Sequence, residues 1–528
     1  MEIVLLQRDD APVSRNGVPF GDRLGEGAAV SAGATNLAAA VAAVAHTRAD
    51  HPAVATTAGD FTYGWVLRAA DTVRRHLHAL PGFAAGARVA LQIANAPEYL
   101  AAFYGTLLAD GVVVPLPVAL EARRRQAILD LCSPDVLIGR ADDLDAATAT
   151  ATATLRLAAS DDDGVTAAPQ RGGDDLAMLL FTSGSTGTPK GVMLSHRNLI
   201  ANAGAILRDL PIRADDRALA VLPFCHAFGN SILQTHVLAG ATLVLHEPTP
   251  FPAAIVEALA ARGATSFAAV PELYGMLHKF GGLGARPLPA LRYMTVAGGA
   301  LRPDLAAGIA ARIAPATFHV MYGQSEATAR LASLAPGELG VRCGSIGKPI
   351  AGVTLAVHDE AGRDAVPGAV GMLCARGDNV MLGYWNDPAA TAEVLGPDGW
   401  LRTGDLAHCD ADGYFYVHGR ANLLVKVQGH RVHPAEIEGV VEASFPHAQA
   451  VAIPMARGDD TRFALFLAPR DERPLDVATI RAACQRELPG HKVPLHFEVL
   501  DRLPLTSGHK VDRAALGRRL AEAATPAA

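Results

Sequence analysis

The chain lacks a long apolar run, an excess of positive charge and any regular spacing of cysteines. No stretch among its 528 residues reaches the roughly 18–20 apolar positions of a membrane span. The longest candidate, residues 100–120, is interrupted by Asp110, Gly111, Pro115 and Pro117. The N-terminus carries Glu2, Asp9 and Asp10 where a secretory leader needs a basic segment, and its apolar run is short. The 46 basic residues are outnumbered by 53 acidic ones, for a formal net charge of −7. Bulk attraction for polyanions is therefore absent, which argues against nucleic acid as the main partner. The six cysteines (Cys132, Cys225, Cys343, Cys374, Cys409 and Cys484) are scattered, and no pair has the C-x-x-C spacing of a zinc or redox site. A reduced, cytoplasmic protein without a disulfide framework is expected.

What is present is a globular composition, 50% hydrophobic and 19% charged, too apolar for a disordered chain. The length exceeds the roughly 250–300 residues that one core organises, so at least two packing units are expected. The first thirty residues are polar and glycine-rich and read as poorly ordered. From about Asn36, amphipathic segments such as residues 61–80 alternate with short apolar runs such as Arg88-Val-Ala-Leu-Gln-Ile and Gly111-Val-Val-Val-Pro-Leu. That alternation predicts α/β layering around largely buried sheets. Residues 141–170, rich in Ala, Thr and Asp, read as a connector. Two βα-like units follow at residues 218–245 and 265–297. From Gly340 to Gly419, short strands separated by Gly, Asp and Pro turns predict a β-rich subdomain. The remainder reads as an α+β unit with strands within 440–453, 463–467 and 497–500, and helices at 475–487 and 514–523.

The strongest local signal is Phe181-Thr-Ser-Gly-Ser-Thr-Gly-Thr-Pro-Lys-Gly-Val-Met-Leu-Ser-His196. Glycines let backbone N–H groups approach a phosphate, hydroxyls add donors, and Lys190 adds charge. It is not a Walker A loop. Four residues after Gly184 stands Pro189 rather than glycine, and Gly191 follows Lys190 where Ser or Thr is required. Alone, such a loop reads equally well as an exposed turn.

The downstream segments decide between these readings. They are Leu222-Pro-Phe-Cys-His-Ala-Phe-Gly229, Ala297-Gly-Gly-Ala300, Met321-Tyr-Gly-Gln-Ser-Glu-Ala-Thr328, Gly383-Tyr-Trp385 and Gly399-Trp-Leu-Arg-Thr-Gly-Asp405. Gly419-Arg420, Lys426-Val-Gln-Gly-His-Arg-Val-His-Pro-Ala-Glu-Ile-Glu438 and Pro504-Leu-Thr-Ser-Gly-His-Lys-Val-Asp-Arg513 complete the series. In this order, over residues 36–515, the chain resembles the adenylate-forming superfamily of acyl-CoA synthetases, luciferase-like enzymes and peptide-synthetase adenylation domains.

The resemblance implies a large N-terminal domain, residues 1–421, of layered αβαβα sheets with a β-rich subdomain. A small mobile α+β domain, residues 422–528, follows. Thr182, Ser183, Gly184, Ser185, Thr186, Gly187 and Lys190 would cradle the β- and γ-phosphates of ATP. Glu326, with Thr186, would hold Mg²⁺, which suits hard oxygen ligands. Ser325 and Thr328 would donate to the α-phosphate. Gly298, Gly299 and Ala300 would face the adenine, and Tyr322 would stack on it or line the acid pocket, with Gly323 and Gln324 in the same turn. Asp405 would take the ribose hydroxyls, with Arg420 alongside. Lys510 is expected to be the catalytic lysine of adenylation, assisted by Thr182, Glu326 and His226. Asn422 stands at the family's hinge. Rotation there would withdraw Lys510 and bring Lys426 and Gly429 to the site, where Gly429 leaves room for a pantetheine arm. The chain departs from the family pattern at Asn422 (usually Asp or Lys), Leu505 (often Arg), His509 (usually Gly) and Met372 (usually Glu).

The acid pocket is expected to be lined by His226, Phe228, Gly229, Val270, Pro271, Tyr274, Ala297, Gly298, Val320 and Met321. Amino-acid-activating relatives place an acid just after the His226 position. Ala227 stands there, and an unpartnered buried ammonium is costly. A fatty, branched, hydroxylated or aromatic acid without a free α-amino group is expected. It would be activated to acyl-AMP and passed to coenzyme A. No carrier domain follows the Lys510 segment, so the alternative acceptor is the phosphopantetheine arm of a separate acyl carrier protein. A luciferase-like oxygenase and a non-catalytic nucleotide-binding scaffold are the more distant alternatives.

Overall fold

In the computed structural model, which describes residues 2–7, 35–140, 153–156, 169–183, 189–428, 430–457, 460–505 and 511–524, the short apolar runs form strands. Val112–Pro115, Val136–Gly139 and Thr242–Leu245 are buried at every position. Continuous burial, rather than alternation, is the mark of parallel strands covered on both faces. The chain divides into two compact units, Met1–Ala356 with Cys374–Thr403, and Val357–Leu373 with Gly404–Ala528. The expected domain boundary after residue 421 falls inside the second of these.

The first unit holds two large mixed sheets. The eight-stranded sheet runs Gly383–Tyr384, Pro189–Ser195, Leu176–Ser183, Val112–Pro115, Arg88–Gln92, Val136–Gly139, Glu2–Gln7, Ala153–Arg156. Two of its strands correct the reading of loops from composition. Glu2–Gln7 pairs antiparallel with both Val136–Gly139 and Ala153–Arg156. Part of the N-terminus and part of the 141–170 connector thus extend the sheet edge, where backbone pairing outweighs a polar context.

The nine-stranded sheet runs Lys348–Pro349, Ala332–Leu334, Thr317–Tyr322, Tyr293–Val296, Ser266–Ala269, Arg217–Ala220, Thr242–Leu245, Pro52–Ala55, Asp60–Thr62. From Thr317–Tyr322 across to Pro52–Ala55 its neighbours are parallel. From Arg217–Ala220 the chain crosses to Thr242–Leu245 on one side, then returns to Ser266–Ala269 on the other. That reversal is a topological switch point, where connections leave the carboxyl edge in opposite directions and open a crevice.

A four-stranded sheet of Val353–His358, Gly371–Gly377, Leu401–Cys409 and Phe415–Arg420 supplies the expected β-rich part; the division between units passes through its strands. In the second unit, Ala448–Arg457, Asp460–Pro469 and His496–Val499 form a three-stranded sheet. Its strands show the period of two expected of a sheet buried on both faces. Ala450, Ala452, Phe463 and Leu465 pack with Ile437, Val441 and Ile480, whereas Val451, Ile453, Ala464 and Phe466 pack with Leu503 and Leu516. Val440 lies in the helix Pro434–Ser444, not in a strand. The His433 ring accepts from Ala435 N–H and Glu436 accepts from His433 N–H, a capping box with proline at the first turn that starts a helix.

Candidate functional site

The glycine- and hydroxyl-rich segment joins two antiparallel strands. Leu176–Ser183 pairs with Pro189–Ser195, placing Thr182 opposite Lys190 and Phe181 opposite Gly191. No helix opens directly from the loop, which separates it physically from a Walker A site. Gly184, Ser185, Thr186 and Gly187 lie outside the described residues, as does the side chain of Ser183. Thr182 and Lys190 are half-buried at the end of the strand pair nearest the connecting segment. The next helix, His196–Asp209, begins only after Ser195, through a capping box with Asn198.

Glu326 sits in a tight turn after the strand Thr317–Tyr322. A β-carbon on Gly323 would lie 1.5 Å from the carbonyl oxygen of Ala329, so only glycine lets the chain double back there. Ser325–Ala327 form one 3-10 turn, and Thr328 and Ala329 follow at φ 60° and 109°. Such a backbone persists only when its surroundings hold it. Asn379 Nδ2 donates to the carbonyls of Ala327 and Arg330 at 3.0 and 3.1 Å. Thr328 Oγ1 donates to Asn379 O at 2.6 Å. Thr328 was expected to donate to a phosphate, but its one hydroxyl proton is committed to the backbone and its side chain is buried. Ser325, Gln324 and Tyr322 are half-buried in the same turn.

A strap from Asp378 to Trp385 ties this turn to the hairpin. Met381 N–H donates to Glu326 O, Leu382 N–H to Met193 O and Trp385 N–H to Gly191 O, at 2.7–2.9 Å. Asn198 Nδ2 donates to the carbonyls of Asp378 and Val380, at 2.7 and 2.8 Å. Tyr384 then touches both halves of the site. Its hydroxyl donates to Glu326 Oε1 at 2.9 Å, and Lys190 Nζ stands 4.8 Å from its ring centre. A cavity of about 330 Å³ is lined by Lys190 and Tyr384 together with Trp385, Asn386 and Asp387. These residues fit a hard divalent cation carried by a polyphosphate. Magnesium asks the protein for one or two carboxylates and takes its other ligands from phosphate and water. Among the described residues no three His, Cys, Asp or Glu side chains gather into an all-protein metal cage.

The acid-pocket residues lie at the carboxyl edge of the nine-stranded sheet. His226, exposed, caps the helix Ala227–Ala239 after Arg217–Ala220; Val270 and Pro271 open the helix Pro271–Phe280 after Ser266–Ala269. These two connections flank the topological switch point. Ala297, Gly298, Gly299 and Ala300 follow the next strand, and the three last are exposed. Phe228, Ala297 and Met321 share one apolar cluster. Val320 and Tyr274 belong to another, because consecutive strand residues face opposite ways. Tyr274 is fully buried, and its hydroxyl donates to Thr295 O at 3.0 Å. It is a core residue, not a pocket wall. Gly229 is likewise structural: a β-carbon there would lie 2.0 Å from Pro223 O.

In the second unit, Asp405 and Arg420 are cross-strand partners, with Arg420 Nε 3.0 Å from Asp405 Oδ1. Asn422 lies exposed in a single 3-10 turn, Ala421–Leu423. Lys426 is on the strand Val425–Val427, opposite Arg431. Gly429, His509 and Lys510 lie outside the described residues. Leu505 pairs with Val511 across the Lys510 segment, so the ends of that loop are held together. No disulfide joins any of the six cysteines, all of which lie among the described residues. Among the described residues no helix is long and apolar enough to cross a membrane.

Tyr384 and the asparagines 198, 202 and 379 were not singled out from the sequence. Tyr384 stood in a quoted motif without a role. Asn198 and Asn202, four residues apart on one helix face and both buried, were the available signal; Asn202 Nδ2 donates to Arg330 O at 2.8 Å.

Residues 41–385 match the model of the AMP-binding enzyme family. A feruloyl-CoA synthase from Amycolatopsis sp is 32% identical over 467 residues, covering 87% of this chain and 94% of the relative. A sulfoacetate–CoA ligase from Cupriavidus necator is 32% identical over 487 residues, 86% of this chain and 92% of the relative. The crystal structure of ATP-bound MatB from Rhodopseudomonas palustris superposes with a TM-score of 0.81 at 26% identity, covering 92% of this chain and all of that one.

Proposed function

Since the chain belongs to the AMP-binding enzyme family, we propose that the hairpin, Glu326 and Tyr384 form the polyphosphate end of an ATP site. The protein is an AMP-forming acid–thiol ligase that uses ATP, Mg²⁺ and coenzyme A. A substrate carboxylate oxygen attacks the α-phosphorus of ATP, the bond to the β-phosphate bridging oxygen breaks, and pyrophosphate leaves. The thiol sulfur of coenzyme A then attacks the acyl carbon, AMP leaves, and the thiol proton passes to solvent. Both steps transfer a group between strongly charged partners, so positioning and charge neutralisation dominate.

The observation that carries the site reading is that one side chain, Tyr384, bonds Glu326 and stands against Lys190, and that Tyr384 and Lys190 line one cavity. Lys190 supplies positive charge to the β- and γ-phosphates. Glu326 holds the magnesium, which when bound neutralises the polyphosphate. Ser325 serves the α-phosphate in place of Thr328. The turn Gly298–Ala300 takes the adenine, Asp405 with Arg420 the ribose, and Lys510 the charge between carboxylate and α-phosphate. Asn422 is the hinge, and Lys426 and Gly429 border the thiol's approach.

The substrate is a carboxylic acid. Ala227 and Phe228 offer no partner to an α-ammonium, and the apolar cluster around Phe228, Ala297 and Met321 favours an acid with an apolar or aromatic body. Coenzyme A is favoured over a carrier protein because the feruloyl and sulfoacetate relatives are both CoA ligases. A pyrophosphate-release screen over fatty, branched and aromatic acids, with amino acids as the contrast, tests the reading. It expects acid-dependent release and a thioester once coenzyme A is added. Release driven only by amino acids, or by no acid, overturns it.

A further inference from the structure

We infer that Tyr384 is a positioning residue that sets the metal-binding geometry of Glu326 and the phosphate-facing position of Lys190 together. The inference rests on the reading of Glu326 as the magnesium ligand.

A glutamate in a half-buried turn has several rotamers, and only some aim a free oxygen at a ligand. The Tyr384 hydroxyl selects among them by occupying one lone pair of Oε1 from a fixed point, 2.9 Å away. Oε2, and the remaining lone pair of Oε1, are left for a cation. A neutral phenol does this without cancelling the carboxylate's charge, which a lysine or arginine in the same place would do.

The phenol is itself well anchored. Tyr384 is only 7% exposed, and its N–H donates to Thr391 Oγ1 at 2.8 Å. Leu382, two residues before Tyr384, bonds to Met193 of the hairpin, and Trp385, directly after it, to Gly191. Three residues before Tyr384, Met381 N–H bonds to the carbonyl of Glu326 itself. The hydroxyl and its acceptor are thus fixed to one frame at both backbone and side chain.

The ring face does a second task. Lys190 Nζ lies 4.8 Å from its centre, within range of a cation–π contact. That contact restrains a flexible ammonium at the hairpin without cancelling its charge. One side chain therefore links the groups assigned to metal and to phosphate. Outer-shell partners of this kind typically change metal affinity about 10–100-fold when removed.

The test separates hydroxyl from ring. Mn²⁺ binding to the full-length enzyme with α,β-methylene-ATP is followed by electron paramagnetic resonance, and binding of the same analogue in EDTA by calorimetry. Tyr384→Phe keeps the ring and is expected to weaken Mn²⁺ about 10-fold, with metal-free analogue affinity and thermal midpoint near wild type. Tyr384→Leu is expected to weaken both. Glu326→Gln is the reference for loss of the metal ligand. If Glu326→Gln loses Mn²⁺ while Tyr384→Phe binds it as wild type, the inference is overturned and the metal reading stands. If Glu326→Gln also binds Mn²⁺ as wild type, the metal reading falls and takes the inference with it.

Discussion

The hydroxyl of Thr328 donates to the backbone carbonyl of Asn379 at 2.6 Å, while the side-chain amide of Asn379 donates to the carbonyls on either side of Thr328 and Ala329. The two residues lock a backbone that neither would adopt alone. Thr328 is β-branched at φ 60°, and Ala329 stands at φ 109°. Both angles are costly for residues with a β-carbon. The strained turn carries Glu326, so its lock bears on the chemistry as well as the fold.

Asn379→Ala should therefore act on both. The substitution takes this donor from the buried carbonyl of Ala327, at about 1–3 kcal/mol, while the carbonyl of Arg330 keeps its bond from Asn202 Nδ2. A fall in thermal midpoint is expected, together with a higher Mg²⁺ concentration for half-maximal pyrophosphate release. Asn379→Ala with an unchanged Mg²⁺ requirement would show that the lock serves stability alone.

Two glycines in the family segments are predicted to be intolerant for steric reasons. An added β-carbon would lie 1.5 Å from Ala329 O at Gly323 and 2.0 Å from Pro223 O at Gly229. Neither obstacle is a movable side-chain end, so Gly323→Ala and Gly229→Ala should each destabilise the protein by about 3 kcal/mol or more. Gly439→Ala is the contrast. Gly439 lies in the helix Pro434–Ser444 with no atom within 4 Å of the added carbon, and the change should stabilise by roughly 0.5–1 kcal/mol. Thermal midpoints of the three variants check the ranking.

How far the site could be read from sequence depended on what kind of contact each residue makes. The strand that runs into the glycine- and hydroxyl-rich segment was legible because an apolar run meeting glycines is a local pattern, whereas Glu326, Asp405 and Arg420 were named only through the resemblance to a family. Within residues 440–453 only the part from Ala448 is strand, and sequence left that division open because a short apolar segment looks the same in a helix and a strand; the His433–Glu436 capping box starts the helix that ends at Ser444. Tyr274 and Thr328 were assigned to ligands because an aromatic ring and a hydroxyl fit such roles by type. Their real partners, Thr295 O and Asn379 O, are 21 and 51 residues away. Tyr384 escaped notice for the same reason, since Glu326 lies 58 residues before it.

A buried histidine gives the fold a pH dependence. His196 is fully buried at the first turn of its helix. Its ring nitrogens face Leu37 N–H at 3.2 Å and Asn36 Nδ2 at 3.3 Å, neither of which can accept an added proton. Burial, then the Arg171 guanidinium, lower its pKa to about 4, against a smaller opposing effect of Asp175. The unfolded chain therefore takes up this proton first. The contribution is fully present above about pH 6.5 and is lost as the pH falls toward 4, a change of about 3 kcal/mol. His196→Asn should show a smaller drop in thermal midpoint between pH 7 and pH 5 than the wild type. Equal drops would place the acid sensitivity elsewhere.

The two half-reactions offer the sharpest separation of roles. Lys510 is proposed to offset charge passing between the acyl carboxylate and the α-phosphate, a duty confined to adenylation. Lys510→Ala should lower acid-dependent pyrophosphate release by about 10²–10³-fold, the scale of losing one preorganised charge or donor at a transition state. Thioester formation from supplied acyl-AMP and coenzyme A should stay within a few-fold of wild type. Gly429→Trp should invert the pattern, because an indole there would fill the path proposed for the pantetheine arm. Rapid-quench measurement of both steps on both variants makes the comparison quantitative. Equal loss of both steps in Lys510→Ala would remove the lysine from its assigned role, and normal thioester formation in Gly429→Trp would move the thiol's path away from the hairpin of Val425–Val427 and His430–Val432.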